Sequence, residues 1–320
     1  MSLDARDLRS GGTWSRSQRL KNAAIYRLVR LLLAIADRVP QAVLLALGRA
    51  LGAAAHHLLP AARRRAEENL RRALAVAGAQ VLARRCFVRA GENLAICLLL
   101  RRQKVRALDL IDVSDGALAC IDRALARGRG AVFVSAHLGP FEALAAAVAE
   151  LGRPATVVVR ESYDPRLDPI VDRHRVERGL GVIHRGAPGA ATKIVRALKQ
   201  NRLVGFLPDL GGRVPSQHVR FLGSQRKFAL GPQRIARRAG APLLIGVLSA
   251  AAPGRSQLRL EVQELSSNQD DAEMTQCVAD ALSAAIVALP EHWLWMVGAG
   301  APTTNETAAG APTTNETATP

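Results

Sequence analysis

The stretch AVFVSAHLGPFE, Ala131–Glu142, decides the fold class and carries the most informative polar pair of the chain. Its apolar first half is typical of a buried strand, and the Gly-Pro pair marks a tight turn. Pro140 suits the first position of a helix because its missing N–H has no partner there in any case. The stretch therefore predicts strand, turn and helix, with His137 at the carboxyl end of the strand and Glu142 in the first turn of the helix.

From residue 108 onward, short β-like runs alternate with helical segments. This alternation predicts βαβ units, and so an α/β fold with a mostly parallel central sheet flanked by helices. The strands are expected at Ala131–Ser135, Ala155–Arg160, Leu203–Pro208, Pro242–Ser249 and Gln257–Val262. The helices are expected at Phe141–Leu151, Asp168–Arg178, Ala190–Gln200, Pro232–Arg238 and Ala272–Leu289.

The chain divides into four regions by composition. Residues 1–22 are polar, and we expect them to be poorly ordered. We expect residues 23–107 to form a helical, membrane-associating region and residues 108–297 to form an α/β domain. Residues 298–320 repeat the polar sequence GAPTTNETA without an apolar face, which predicts a disordered, low-complexity tail.

The apolar stretch Ile25–Leu59 is the basis for the expected membrane contact. Arginine and aspartate residues interrupt it, so no run reaches the roughly 18 uncharged residues of a spanning helix. An apolar helix carrying Arg27 and Arg30 suits the head-group layer or a shallow insertion. The alternative is a pair of ordinary helices packed against the rest of the protein.

The composition limits the partners and the cofactors. The 320 residues carry a formal net charge of +17, mostly from arginine, which favours anionic partners such as phospholipid head groups, phosphorylated glycolipids, an acidic carrier protein or nucleic acid. Charge alone does not choose among these. The four cysteines show no C-x-x-C pair and no metal-like spacing with histidine, so we expect reduced thiols, no metal site and no cofactor.

A histidine followed by a carboxylate suits the deprotonation of an alcohol near neutral pH. The carboxylate fixes the tautomer of the ring and stabilises the imidazolium once the proton has been taken. The turn between them is expected to fold Glu142 back to the imidazole of His137, with backbone N–H groups at the helix start available for an oxyanion. The chain has no G-x-S-x-G sequence, which argues against a serine hydrolase.

The segment His137–Glu142 resembles the H-x-x-x-x-[DE] motif of the lysophospholipid acyltransferase superfamily. Further stretches, in the same order along about residues 40–297, resemble the bacterial lipid A biosynthesis (lauroyl and myristoyl) acyltransferase family within it. These are Arg65–Leu74 (RAEENLRRAL), Val157–Asp168 (VVVRESYDPRLD), Arg173–Gly179, Leu203–Asp209 (LVGFLPD), Phe221–Gly223, Gly231–Pro242 and Pro290–Trp295 (PEHWLW). The sequence departs from the family pattern at Leu210 and after Trp295.

The resemblance implies that His137 is the general base and Glu142 its catalytic partner. It also implies that Arg160, Arg175 and Asp209 bind substrate, with the arginines suited to phosphate on the acceptor. The expected reaction moves a fatty acyl chain from acyl carrier protein or coenzyme A to a hydroxyl of a lipid A-type precursor. The expected location is the cytoplasmic face of the bacterial inner membrane.

Three other interpretations stay open at this point, one of which is a non-catalytic relative that only binds lipid; the presence of both His137 and Glu142 argues against it. The same chemistry serves other acceptors, such as a lysophospholipid, a phosphatidylinositol mannoside or an ornithine-type lipid. An Arg-rich nucleic-acid-binding protein is the alternative of a different class, but charge alone supports it, since the chain has few aromatic residues for base stacking.

Overall fold

The computed structural model describes residues 13–211, 214–250, 258–266 and 269–297. The tail expected at residues 298–320 lies outside these ranges, as do the first 12 residues of the expected N-terminal extension. The described helices are α1 (Arg16–Ala36), α2 (Gln41–Leu58), α3 (Pro60–Leu74), α4 (Ala79–Leu99), α5 (Asp115–Leu125), α6 (Phe141–Glu150), α7 (Asp168–Glu177), α8 (Ala190–Lys199), α9 (Gly231–Ala239) and α10 (Asp271–Ala288). Short 3-10 turns lie at Ala107–Asp109 and Pro290–His292.

A seven-stranded sheet, in the order β1-β9-β8-β2-β5-β3-β4, forms the centre of the α/β region. Its strands are β1 (Ile111–Val113), β2 (Ala131–Val134), β3 (Ala155–Val159), β4 (Gly181–His184), β5 (Leu203–Phe206), β8 (Leu243–Ala250) and β9 (Leu258–Leu265). Every described pairing in it is parallel except that of β8 with β9, which follow each other too closely for a crossover helix. The predicted α/β class, with a mostly parallel sheet flanked by helices, is confirmed.

Two edge strands and one hairpin were not expected from the sequence. The edge strands β1 and β4 have only three and four residues, too few to show a periodicity. A separate antiparallel hairpin joins β6 (Ser216–Phe221) to β7 (Ser224–Ala229). Its two-residue turn uses Leu222 and Gly223, both with positive φ, in place of the usual Asn-Gly signal.

The first helix begins earlier than expected. Ser15 accepts a hydrogen bond from the backbone N–H of Gln18, and the Gln18 side chain accepts one from the N–H of Ser15. This capping box satisfies two N–H groups and starts α1 at Arg16, seven residues before the boundary drawn at residue 23. Hydrophobicity alone places the boundary too late because the first turn of the helix is polar.

No single described helix is long and apolar enough to cross a membrane. Helices α2 and α3 reach that length and composition only when taken together, and they meet at a bend of 93°.

Three glycines allow α2 and α4 to cross closely. A Cβ atom at Gly91 would overlap the carbonyl oxygen of Gly48, and a Cβ at Gly52 would overlap that of Phe87. The obstructing atoms are backbone atoms, which cannot rotate away as a side chain can. The crossing therefore requires glycine at these positions and fixes α2 against α4.

We expect Gly91→Ala to destabilise the fold by about 1–3 kcal/mol, because the new methyl group must push two helix backbones apart. Thermal unfolding followed by circular dichroism measures the effect. Gly116→Ala on α5 is the matched control, since a Cβ there meets no atom closer than 3.9 Å. Its midpoint should stay unchanged or rise slightly. Equal midpoints for the two variants would contradict the close crossing.

Candidate active site

The site lies at the carboxyl ends of three neighbouring parallel strands. His137 follows β2, Asp209 follows β5 and Arg160 follows β3. Carboxyl ends of parallel strands meet at one edge of a sheet, which is where ligands bind in open α/β sheets. A cavity of about 490 Å³ opens there between the sheet and helices α6 and α7. Four of the sequence-predicted residues line it, namely His137, Glu142, Arg160 and Arg175.

The imidazole of His137 is held by the carboxylate of Asp209. Nδ1 of His137 lies 2.8 Å from Oδ1 of Asp209, and the backbone N–H of His137 donates to Oδ2 at 3.0 Å. A carboxylate only accepts hydrogen bonds, so this contact assigns the ring proton to Nδ1 and leaves Nε2 with a free lone pair. The ring of Phe141 packs edge-on against the imidazole, with centroids 4.9 Å apart. The geometry thus prepares Nε2 to accept a proton.

A third donor reaches Asp209 from the C-terminal segment. The indole N–H of Trp293 donates to Oδ2 at 2.8 Å, and the Asp209 side chain has no exposed surface. An antiparallel backbone bridge between Leu138 and Trp293 fixes this segment against the loop after β2, and it includes a hydrogen bond of 2.8 Å from Gly139 N–H to the carbonyl of His292. In the sequence, Trp293 stands out only as part of the stretch PEHWLW, and nothing in that pattern indicates a contact with Asp209.

Glu142 has a different partner from the one expected of it. Its carboxylate accepts hydrogen bonds from Nε and Nη2 of Arg175, the first at 3.0 Å, and lies 3.6 Å from Nε2 of His174. The carboxylate that hydrogen-bonds the His137 ring is that of Asp209. Glu142 faces α7 from the first turn of α6, and a guanidinium offers it two parallel hydrogen bonds that an imidazole cannot.

These contacts determine the charge of Glu142. Burial by itself raises the pKa of a carboxyl group, but the contacts with His174 and Arg175 outweigh it and lower the pKa of Glu142 to about 2. Glu142 is therefore ionised throughout the neutral pH range. Its negative charge is balanced locally by the guanidinium.

The two arginines expected to bind phosphate lie in different environments. Arg175 is buried, and its guanidinium contacts two carboxylates, those of Glu142 and of Asp172, the latter at 2.9 Å. Asp172 in turn lies 2.6 Å from Nε2 of His184. Arg160 is exposed at the cavity rim and makes no ion pair with any other residue in the described ranges. Its guanidinium is thus the freer of the two for an anionic ligand.

Two of the N–H groups near the helix start are already used within the protein. Gly139 N–H donates to His292, as described above, and Phe141 N–H donates to the carbonyl of Gly139 at 3.0 Å. Gly139 adopts a positive φ of 61°, which brings the turn back on itself. Neither N–H group is available as an oxyanion donor in this conformation.

The cavity is lined by both apolar and polar residues. Phe133, Leu144, Ala145 and Val157 contribute apolar surface, whereas His137, Arg160 and the Glu142–Arg175 ion pair contribute polar groups. Such a lining accommodates an apolar chain beside groups that can fix a polar one. No group of three or more His, Cys, Asp or Glu side chains suited to a metal ion occurs in the parts of the chain that the structure describes.

The fold and the site together are those of an α/β enzyme with a histidine–carboxylate pair beside a cavity that has apolar and polar walls. Comparison with protein families identifies it further: the model of the bacterial lipid A biosynthesis acyltransferases matches residues 14–298, and the chain belongs to that family. The family resemblance inferred from the sequence is confirmed, and the protein is an acyltransferase that acts on a lipid acceptor. No individually curated protein matches the chain.

The depressed pKa of Glu142 predicts a loss of stability in acid. The group has a pKa near 4.5 when unfolded and about 2 when folded, so its stabilising contribution is complete above pH 4.5 and is lost as pH falls toward 2. By this linkage the contribution is about 3 kcal/mol at pH 7, of which about 2 kcal/mol is gone at pH 3. Urea denaturation at the two pH values measures it.

The variant Glu142→Gln isolates this effect, because an amide does not titrate in this range. Its unfolding free energy should fall less between pH 7 and pH 3 than that of the parent protein. Glu68→Gln, on an exposed position of α3, should retain the parental pH dependence. A parental pH dependence in Glu142→Gln would show that Glu142 is not ionised in the way its contacts imply.

Proposed function

We propose that the protein transfers a fatty acyl chain from an acyl carrier thioester to a hydroxyl of a lipid A-type precursor. The observation that carries this proposal is the setting of His137: its Nδ1 is fixed by a buried carboxylate, and the residue lines a cavity that also has apolar side chains in its wall. The family membership supports the acyl donor and the lipid acceptor as classes.

The reaction follows from these groups. Nε2 of His137 takes the proton of the acceptor hydroxyl while the hydroxyl oxygen attacks the thioester carbonyl. The tetrahedral intermediate collapses with cleavage of the C–S bond, and the imidazolium returns its proton to the leaving thiolate. An ester and a free thiol result. Asp209 stabilises the imidazolium between the two proton transfers and keeps Nε2 aimed at the hydroxyl.

The lining of the cavity supports a proposed site for each substrate. Its apolar residues suit the acyl chain of the donor, and the exposed Arg160 suits a phosphate of the acceptor or of the donor. Acyl carrier protein and coenzyme A are both anionic, so the net charge of +17 favours either one. We propose acyl carrier protein or coenzyme A as donor and no bound cofactor.

Glu142 retains a place in the proposed machinery, but acts through Arg175. The ion pair joins α6 to α7 and so forms one wall of the cavity next to His137. Arg175 contacts Asp172 as well, so it serves as a positioning residue for that wall. Loss of Glu142 leaves a buried guanidinium half-paired and loosens the wall.

We expect His137→Ala to abolish transfer, and Asp209→Asn and Glu142→Gln each to lower turnover by roughly 10²–10⁴. The tautomer of the imidazole, read by nitrogen NMR, separates the two carboxylates. Asp209→Asn can present an amide NH₂ group to Nδ1, so the parental preference for the Nδ1–H tautomer should weaken. Glu142→Gln should lower the rate and keep the parental tautomer, because the hydrogen bonds of Glu142 come from Arg175.

The assay uses purified enzyme, an acyl thioester and a panel of acceptors: a lipid A-type precursor, a lysophospholipid, a phosphatidylinositol mannoside and an ornithine-type lipid, with products identified by mass spectrometry. Asp122→Asn is the control, since Asp122 forms an exposed ion pair with Arg153. It should leave turnover unchanged. Full activity in His137→Ala would overturn the proposed base, and product only on another acceptor would overturn the proposed lipid.

We further propose that α1 and α2 hold the enzyme on the cytoplasmic face of the bacterial inner membrane. Helix α1 has only Asn22 and Ala36 buried, whereas many of its large apolar residues are exposed. The exposed apolar residues of α1 and α2 are Leu20, Ile25, Leu28, Leu31, Leu32, Ile35, Val43, Leu47, Leu51 and Leu58. An exposed apolar surface of this extent, with interspersed arginines, favours the head-group layer.

Membrane binding should therefore have an apolar and an ionic component. On vesicles of phosphatidylethanolamine and phosphatidylglycerol, high salt should weaken but not abolish co-sedimentation. The combined change Leu28→Gln, Leu31→Gln and Leu32→Gln should reduce partitioning at least tenfold, because it removes apolar contact without touching the core. The control combines Val195→Gln and Val287→Gln, exposed apolar positions on α8 and α10. Complete release of active parent enzyme by moderate salt would contradict the proposed anchor.

A further inference from the structure

Two glycines, Gly205 and Gly246, lie on the same face of the central sheet but differ in whether a neighbouring side chain fills the space above them. Gly205 of β5 pairs in register with Phe133 of β2 and Val157 of β3, and register partners in a parallel sheet share a face. Gly246 of β8 lies two residues beyond Leu244, the partner of Phe133 in that strand, so it shares the face too. One of these glycines is covered by a side chain and the other is not.

The ring of Phe133 covers Gly246. A Cβ atom at position 246 would collide with the outer edge of the phenyl ring, at Cζ and at one Cε atom, and would lie tightly against the other Cε. The ring is therefore turned toward β8, where the absence of a side chain leaves room for it. Phe133 is 6% exposed, and what remains exposed lines the cavity.

Gly205 is left uncovered. A Cβ atom there would meet only the Thr156 carbonyl oxygen at 3.7 Å and Cγ1 of Val157 at 3.8 Å, which are ordinary contacts. The backbone of Gly205 also has no positive φ that would require glycine. A glycine in a strand interior weakens the strand and often marks a place where a ligand approaches closely. The missing side chain at 205 is thus space that belongs to the cavity.

We propose that Gly205 and Phe133 set the length of the fatty acyl chain that the enzyme transfers. Gly205 forms the open floor of the chamber for the donor's chain, and the ring of Phe133, seated on Gly246, forms its inner limit. This inference rests on the proposed acyl transfer and adds the residues that select among donors.

The proposal predicts opposite effects at the two positions. Gly205→Leu places a branched side chain on the floor and should shift the optimum to chains shorter by two to four carbons. Phe133→Ala removes the limit and should shift it to longer chains. Each methylene that loses or gains its apolar surroundings should change kcat/KM by about fourfold.

Gly246→Ala tests the coupling between the two sites. The new methyl group must displace the ring of Phe133, and the free space on that face lies over Gly205. The variant should therefore shorten the preferred chain in the parent enzyme but not in a Phe133→Ala background, which is a non-additive double-mutant cycle. Simple disruption of the sheet would act equally in both backgrounds.

The experiment measures kcat/KM for acyl thioesters from C8 to C18 with one acceptor, and then for acceptors of varied chain length with one donor. Binding of the matching free fatty acids to the full-length protein, followed by calorimetry, gives a second profile that needs no turnover. Gly205→Ala adds only a methyl group at the same position, and it replaces Gly205→Leu in the experiment if the leucine variant does not fold. Gly91→Ala is the control for general destabilisation, since it disturbs the α2–α4 crossing outside the cavity lining.

Opposite shifts for Gly205→Leu and Phe133→Ala in the donor series and in fatty-acid binding, with the parental optimum in Gly91→Ala, support the proposal. If active variants and the parent enzyme show the same dependence on chain length, the proposed role of Gly205 and Phe133 is wrong, whereas the proposed acyl transfer still holds. A shift seen only in the acceptor series overturns it as well, because the chamber then holds a chain of the acceptor. If the parent enzyme transfers no acyl chain, the proposed function fails, and the binding profiles still decide whether these residues limit chain length.

Discussion

The buried carboxylate of Asp209 is the group on which the arrangement of the site depends. Burial of a charge is unfavourable unless hydrogen bonds replace the lost water, and Asp209 receives three N–H donors: two from His137 and one from Trp293. The donors come from chain segments more than 150 residues apart. One side chain therefore holds the end of β5, the loop after β2 and the C-terminal segment in a single geometry, and that geometry fixes the histidine tautomer.

The C-terminal segment extends this geometry to the N-terminal helices. The side-chain amide of Asn69, buried on α3, donates to the carbonyl of Trp295 at 3.0 Å, and the indole of Trp295 donates to the carbonyl of Pro290 at 2.7 Å. The two tryptophan rings pack edge to face, with centroids 4.8 Å apart. Contacts thus run from α3 through Trp295 and Trp293 to Asp209 and His137. The helical region is therefore a structural part of the site. The stretches Arg65–Leu74 and Pro290–Trp295 are far apart in sequence but are in direct contact through Asn69 and Trp295.

The sequence predicted the features that depend on local pattern and missed those that depend on contact. An apolar run, a Gly-Pro turn and the strand–helix alternation placed His137 and Asp209 at strand ends, where the structure has them. The partner of His137 was not predictable from spacing, because Glu142 is near it in sequence whereas Asp209 is near it only in the folded sheet. The same limit applies to Trp293 and to Gly205. Their roles follow from one hydrogen bond and one empty volume, and a sequence shows neither.

The two carboxylates near His137 differ in what balances their charge, and this difference explains their separate roles. Glu142 is paired with a guanidinium that carries a positive charge at every relevant pH, so its own charge is already compensated when a substrate arrives. Within the described parts of the chain, the hydrogen bonds to Asp209 come from the backbone N–H and ring of His137 and the indole of Trp293, and none of these is cationic until the imidazole takes up a proton. Its attraction for the ring therefore increases when the ring becomes positive, at the step where a base is needed. A carboxylate with a permanent cationic partner cannot respond in this way, so the environment and not the sequence spacing makes Asp209 the partner of the base.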